Sequence, residues 1–230
     1  MSDNFGNNYG AVLFDMDGVL IDSMPFHVRA YNDVLSRYGI SVSELEVAGR
    51  STQETLTSLL GHQLSIHEIA DLAKGKSMRS LQLMEAVGDQ ILIENAIDTL
   101  HKIYGQKKMA LCTSASGQSV SNVINTVLPK YLFDQIVHSG MVNLSKPDPE
   151  IYVLATELLS LTPSSCLVIE DSISGVQSGI AAGCDVVYIS NSDDFPSQIP
   201  KDVVKLESLS ELPTFLGLVC ATSQYERYWD

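Results

Sequence analysis

The sequence predicts an α/β protein: a doubly wound, Rossmann-like parallel sheet core with an α-helical cap inserted after the first strand. Three observations carry this reading. Four short apolar runs, Ala11–Phe14, Lys108–Cys112, Cys166–Ile169 and Val186–Ile189, alternate with helical patterns, as expected of parallel strands joined by crossover helices. From residue 24 to residue 93 only helical periodicity is found, a long interruption of that alternation. Acidic pairs close two of the apolar runs, and the carboxyl ends of strands are where such sheets bind ligands.

The first run, Ala11-Val12-Leu13-Phe14, leads into Asp15-Met16-Asp17-Gly18. It reads as a buried parallel strand closed by a glycine turn. Residues i and i+2 of a strand point the same way, so Asp15 and Asp17 can both face a site beyond the sheet edge. Two carboxylates that close repel unless a cation or a shared proton holds them. The spacing therefore suggests Mg²⁺, with one carboxylate as nucleophile and the other as acid/base. A plain strand-end turn would also use Asp and Gly.

The helical block follows. Phe26, Ala30, Val34, Leu35 and Tyr38 form one stripe closed by Gly39, and Thr52–Leu60 and Ile66–Val87 read the same way. The expected division is a core of residues 1–22 and 94–230 and a cap of residues 23–93. A helical insertion beside a catalytic strand end is a candidate lid.

The run Lys108–Cys112 opens onto Thr113-Ser114-Ala115-Ser116, which offers hydroxyls and backbone N–H groups to an anion. Ser116 also suits a helix N-cap. Gln135–His138 is a weaker fifth strand. Ser145-Lys146-Pro147-Asp148-Pro149-Glu150 places a cation on a loop fixed by two prolines ahead of a helix, with Asp148 suited to capping that helix. Cys166–Ile169 ends in Glu170-Asp171, an acidic pair whose lack of a local basic partner suggests an oxygen-ligated cation. A helix-start acid favoured by the dipole is the plainer reading of Asp171.

The chain has 230 residues, is 45% hydrophobic and carries a net charge of −14. That size supports a full core, and that charge argues against nucleic acid or an anionic membrane as partner. Of the four cysteines, Cys112, Cys166 and Cys184 lie in or beside apolar runs and read as buried thiols in a reducing compartment. Met1–Gly10 is polar and has no signal-peptide pattern, and no stretch approaches the ~18 apolar residues of a membrane span. A cytoplasmic protein is expected. Beyond about Leu218 the tail carries Tyr225, Tyr228 and Trp229, which leaves packing on the body or on a second subunit open; a monomer or weak homodimer is expected.

These motifs, in this order, resemble the haloacid dehalogenase (HAD) superfamily, in the branch containing β-phosphoglucomutase and small sugar-phosphate phosphatases. The likeness spans about Val12 to Ile189. It implies that Asp15 is the nucleophile that becomes an aspartyl phosphate. It makes Asp17 the group that protonates the leaving oxygen and then deprotonates the incoming water or alcohol, its backbone carbonyl ligating Mg²⁺. Thr113 maps to the phosphate-binding hydroxyl, with Ser114 and Ala115 beside it in the substrate loop; the run of Ser and Thr leaves the register open by one. Lys146 would bridge Asp15 and the phosphoryl oxygens. Asp171 would ligate Mg²⁺ directly, and Glu170 directly or through water.

Within the cap, His27 falls where β-phosphoglucomutase has a catalytic lid histidine. Gly49-Arg50-Ser51-Thr52 resembles the mutase's substrate loop, except that the arginine holding the non-transferred phosphate falls on Thr52, two residues after Arg50. Lys76, or Lys74, matches another phosphate-binding lid position. Loss of a bidentate guanidinium at Thr52 favours a Mg²⁺-dependent phosphatase acting on a small phosphorylated metabolite, sugar phosphates first. β-Phosphoglucomutase and pyrophosphatase activities are the alternatives. A dehalogenase on this fold uses one aspartate and no metal, which Asp17 and the Glu170-Asp171 pair argue against. A non-catalytic relative would tolerate loss of Asp15, Asp17, Lys146 or Asp171, and all four are present.

Overall fold

The computed structural model describes residues 8–47 and 51–218. Its centre is a six-stranded sheet in which all neighbouring strands run parallel. The strands are β1 (Ala11–Phe14), β2 (Lys108–Thr113), β3 (Gln135–His138), β4 (Cys166–Glu170), β5 (Asp185–Ile189) and β6 (Val204–Leu206), in the spatial order β3-β2-β1-β4-β5-β6. β1 lies between β2 and β4, with Phe14 level with Leu111 and Ile169. Its sequence is apolar throughout because both faces are covered: Val12 and Phe14 enter one core cluster, Ala11 and Leu13 the other, the alternation that a period of two imposes.

The helices are α1 (Met24–Leu35), α2 (Glu44–Val47), α3 (Thr52–Leu60), α4 (Ile66–Val87), α5 (Ala96–Ile103), α6 (Gly117–Thr126), α7 (Glu150–Leu158), α8 (Ile173–Ala181) and α9 (Leu212–Phe215). α5, α6 and α9 cover one face of the sheet through Leu100, Val120 and Leu212. α7 and α8 cover the other through Ile151, Tyr152, Ala155 and Val176. The doubly wound parallel architecture is the one the sequence implies.

Three local differences have simple causes. β6 was not expected; three residues are too few to show a period. The first helix gives way after Leu35 to a 3₁₀ turn, Ser36–Tyr38, which ends at Gly39 with φ 68°, a left-handed position that glycine adopts at little cost. β2 and β4 run on to Thr113 and Glu170, so polar residues that looked like loop are the last rungs of the ladder.

α1 to α4 stand outside the sheet layers and share a third cluster, with Tyr31, Leu35, Leu56, Leu60, Ile69 and Leu72 buried in it. α3 and α4 each begin with a capping box, Ser51 with Glu54 and Ser65 with Glu68, which satisfies backbone donors that a helix start leaves open. α4 joins two cores: Ile69 and Leu72 belong to the third cluster, while Met84, four turns along, belongs to a sheet cluster. The outgoing and returning connections lie side by side. Asp22 donates its N–H to Ile91 at 2.8 Å and Ile93 donates to Leu20 at 3.0 Å, around an antiparallel bridge between Ile21 and Leu92.

Candidate active site at the carboxyl edge of the sheet

The chain leaves β1 still paired, since Asp15 donates its N–H to the Ile169 carbonyl at 3.0 Å. This fixes a buried carboxylate at the sheet edge. The turn that follows needs glycine twice over. Gly18 has φ 81°, and a Cβ there would stand 1.9 Å from Asp171 Oδ2. The acidic loop after β1 and the acidic end of β4 can approach each other only over a residue without a side chain.

Lys146 reaches in from the loop ahead of α7. Its ammonium donates to Asp15 Oδ1 at 2.5 Å, to Glu170 Oε1 at 2.6 Å and to the Cys112 carbonyl at 3.1 Å, so all three of its protons have acceptors. Glu170 is completely buried and equally engaged. Its Oε1 also accepts from the Tyr152 hydroxyl at 2.7 Å, and its Oε2 accepts from the backbone N–H and hydroxyl of Ser172 at 3.3 and 3.0 Å. Gly175 makes room for it, since a Cβ there would fall 1.8–2.1 Å from the Glu170 carboxylate.

Thr113, buried at the end of β2, accepts from the Ala115 N–H at 3.0 Å and faces Asp17 Oδ2 at 3.4 Å. Ser114 beside it is exposed. The Ala115 carbonyl is tied down by the N–H and hydroxyl of Ser139, at 3.1 and 2.9 Å, and Ser116 caps α6 by accepting from the Ser119 N–H. Thr113 is thus the hydroxyl turned toward Asp17.

The electrostatics follow from crowding. Burial pushes the Asp15 carboxyl well above the usual range; Lys146 pulls it back, and Glu170, Asp17 and Asp171 add repulsion. Burial, then the charge of Glu170, lifts Asp171 to about 7. For Lys146 burial acts to lower the pKa, but Asp15 and Glu170 outweigh it and hold the ammonium above its ordinary value. Asp15, Glu170 and Asp171 each offer an oxygen within 4.8 Å of the others. A single ammonium among these carboxylates leaves a net negative pocket of hard oxygen donors, and such a set fits a divalent cation of the Mg²⁺ type.

Two residues of the helical block stand near enough to this edge to feel Asp17. His27, on α1, lies with Nδ1 3.0 Å from the Nζ of Lys76 on α4, and that ammonium sits 4.4 Å from the Tyr31 ring centroid, a cation–π distance. Burial, then the Lys76 charge, lowers His27 to about 4, and burial lowers Lys76 to about 8, with Asp17 opposing both shifts. A neutral His27 therefore accepts from Lys76, and both residues feel Asp17. Lys74, the alternative offered in sequence, has a side chain 77% exposed and pairs with Asp71, whereas Lys76 is 4% exposed. Thr52 opens α3, half-buried behind its Ser51 cap. Arg50 lies outside the described residues.

Tyr152, Ser172 and Gly175 were missed in the sequence. Tyr152 comes shortly after the Lys146 loop, on α7, and its one available signal is that a buried tyrosine needs a partner for its hydroxyl.

A parallel α/β sheet whose switch point carries a buried aspartate against a lysine, with further acids converging on it, defines an enzyme class. The chain belongs to the haloacid dehalogenase-like hydrolase family, whose profile matches residues 12–189. Among its relatives, the phosphorylated carbohydrates phosphatase of Thermotoga maritima is 34% identical over 185 residues, covering 77% of this chain and 83% of that protein. Hexitol phosphatase A of Escherichia coli is 31% identical over 201 residues, covering 87% and 91%. The crystal structure of a β-phosphoglucomutase from Clostridium difficile superimposes with a TM-score of 0.75 over 89% of this chain and 93% of that one, at 23% identity, a likeness of fold. Among the described residues no helix is long and apolar enough to cross a membrane.

Proposed function

We propose that this chain is a Mg²⁺-dependent phosphatase of small phosphate monoesters, sugar and sugar-alcohol phosphates first, working through phosphorylated Asp15. The observation that carries the reading is the Lys146 ammonium 2.5 Å from Asp15 in a buried, net acidic pocket. Two relatives above 30% identity that bear phosphatase names support hydrolysis over transfer, as does Thr52 at the position of the mutase's arginine.

In this reading an Asp15 oxygen attacks phosphorus and the bond from phosphorus to the substrate oxygen breaks. Asp17 supplies the proton that the leaving oxygen takes up, and recovers one from the water that then cleaves the aspartyl phosphate. Lys146 faces the charge that builds on the phosphoryl oxygens. Thr113 steadies Asp17. Asp15, Asp171 and the Asp17 carbonyl would hold Mg²⁺, which when bound supplies neutralising charge at the phosphoryl group. Glu170, whose oxygens already serve Lys146, Tyr152 and Ser172, would act on the ion through water. The cap, residues 23–93, would present His27 and Lys76 to the substrate and keep bulk water out.

The test is inorganic phosphate release over a panel of sugar phosphates, sugar-alcohol phosphates, nucleotides and pyrophosphate, with Asp15→Asn as blank. Release that needs Mg²⁺, is lost with EDTA and is absent in Asp15→Asn is expected. Glucose 6-phosphate formed from β-glucose 1-phosphate with little phosphate release would replace the phosphatase reading by the mutase.

A further inference from the structure

We propose that the Tyr152 phenol is a positioning residue for phosphoryl transfer: acting through Glu170, it sets where the Lys146 ammonium stands against Asp15. The inference rests on the phosphatase reading above.

Tyr152 lies on α7 and is fully buried. Its hydroxyl donates to Glu170 Oε1 at 2.7 Å, and the same oxygen accepts from Lys146 at 2.6 Å. The ammonium also stands 4.9 Å from the centroid of the Tyr152 ring, so one side chain touches both members of the ion pair. The far oxygen of Glu170 is held by Ser172, and Gly175 closes the space behind the carboxylate. Glu170 is therefore clamped at both ends.

The consequence concerns how the ammonium divides its protons. At rest they go to Asp15, Glu170 and the Cys112 carbonyl. To stabilise a phosphoryl group the ammonium must turn a proton toward it, weakening one of those three bonds. The bond to Glu170 is weakened most readily when another donor already shares that oxygen, because two donors on one acceptor divide its charge. Without the phenol, Oε1 faces Lys146 alone and draws the ammonium toward Glu170, away from Asp15. A ring that merely fills the second core cluster would serve as well without its hydroxyl.

Tyr152→Phe keeps the ring and removes only the hydroxyl. The expected result is a kcat about tenfold lower with KM within about twofold, the split that marks an interaction made in the transition state. In a crystal structure of the variant, Lys146 Nζ should have moved out of hydrogen-bond reach of Asp15 while remaining on Glu170. Unchanged kcat with Lys146 in place overturns the proposal. So does a rise in KM at constant kcat, or an activity loss that merely follows a falling folded fraction in a thermal melt. Absence of phosphate release by the wild-type enzyme would instead fail the phosphatase reading, and the position of Lys146 in the variant crystal would still decide the part played by Tyr152.

Discussion

On the sheet side of the site, Lys146, Glu170 and Tyr152 have their polar side-chain atoms within 3.1 Å of partners. On the cap side, Lys76 and His27 share one hydrogen bond, and elsewhere in the helical block the Thr55 hydroxyl on α3 is buried with no partner among the described residues. The two halves differ in how much of their bonding capacity the fold itself consumes. Groups that stabilise a transition state gain by being held close to their working position beforehand, because only a small reorientation is then needed as charge develops. Groups that select a ligand need donors left over for it. The Lys146–Glu170–Tyr152 cluster is finished without substrate, while Asp15 and Asp171 keep oxygens over for a cation; the cap pair is less fully engaged.

The sharpest way to break this contrast is at Lys146. Lys146→Met leaves Asp15 and Glu170 buried without their common cation, and kcat should fall about 10³-fold, equivalent to ~4 kcal/mol of transition-state stabilisation. A loss below tenfold would mean that the finished half is not where charge is stabilised. Gly175→Ala comes next. Its Cβ would sit 1.8–2.1 Å from the Glu170 carboxylate, and the overpacking should cost ~2–3 kcal/mol of stability, read from urea unfolding. An unchanged midpoint would show that Glu170 has slack the geometry denies it.

The smallest effect is expected on the cap. Lys76, lowered to about 8 by burial against the opposing pull of Asp17, is an ammonium below that pH and a neutral amine above it. Attraction to a substrate phosphate is thus present below pH 8 and lost as pH rises through it, so the wild-type KM should climb on the alkaline side. Lys76→Met should raise KM at pH 7 by about tenfold, ~1.4 kcal/mol, and remove that climb, with kcat changed only a few-fold. A fall in kcat matching that of Lys146→Met would erase the distinction between the halves.

Much of the sheet side was legible in the sequence because its signals are local. A buried strand reads as an apolar run, and Asp15 and Asp17 come just after β1, while Glu170 and Asp171 stand at the end of β4. β1 and β3 have the very limits the apolar runs suggested, as do α3 and α4 within the helical block. What was illegible depends on contact between distant segments. The resemblance names His27 and Lys76 one by one, but they are 49 residues apart, and nothing in either neighbourhood announces their contact. Gly175 reads as an ordinary helix residue until Glu170 is seen beneath it. β6 has too few residues for its pattern to speak. For the Ser/Thr run after β2 the sequence left the register open, and burial turns Thr113 inward and leaves Ser114 outside.

The side-by-side segments bridged at Ile21 and Leu92 have an architectural consequence. Because the chain departs and returns through adjacent hydrogen-bonded residues, everything between them behaves as a cassette: a short reverse turn could close the gap without altering a single strand of the sheet. The helical block could therefore be exchanged for another without disturbing the strands. The main tether on such an exchange is the end of α4, where Met84 has been drafted into the sheet's own core, so a transplanted cassette would have to bring an apolar residue for that seat.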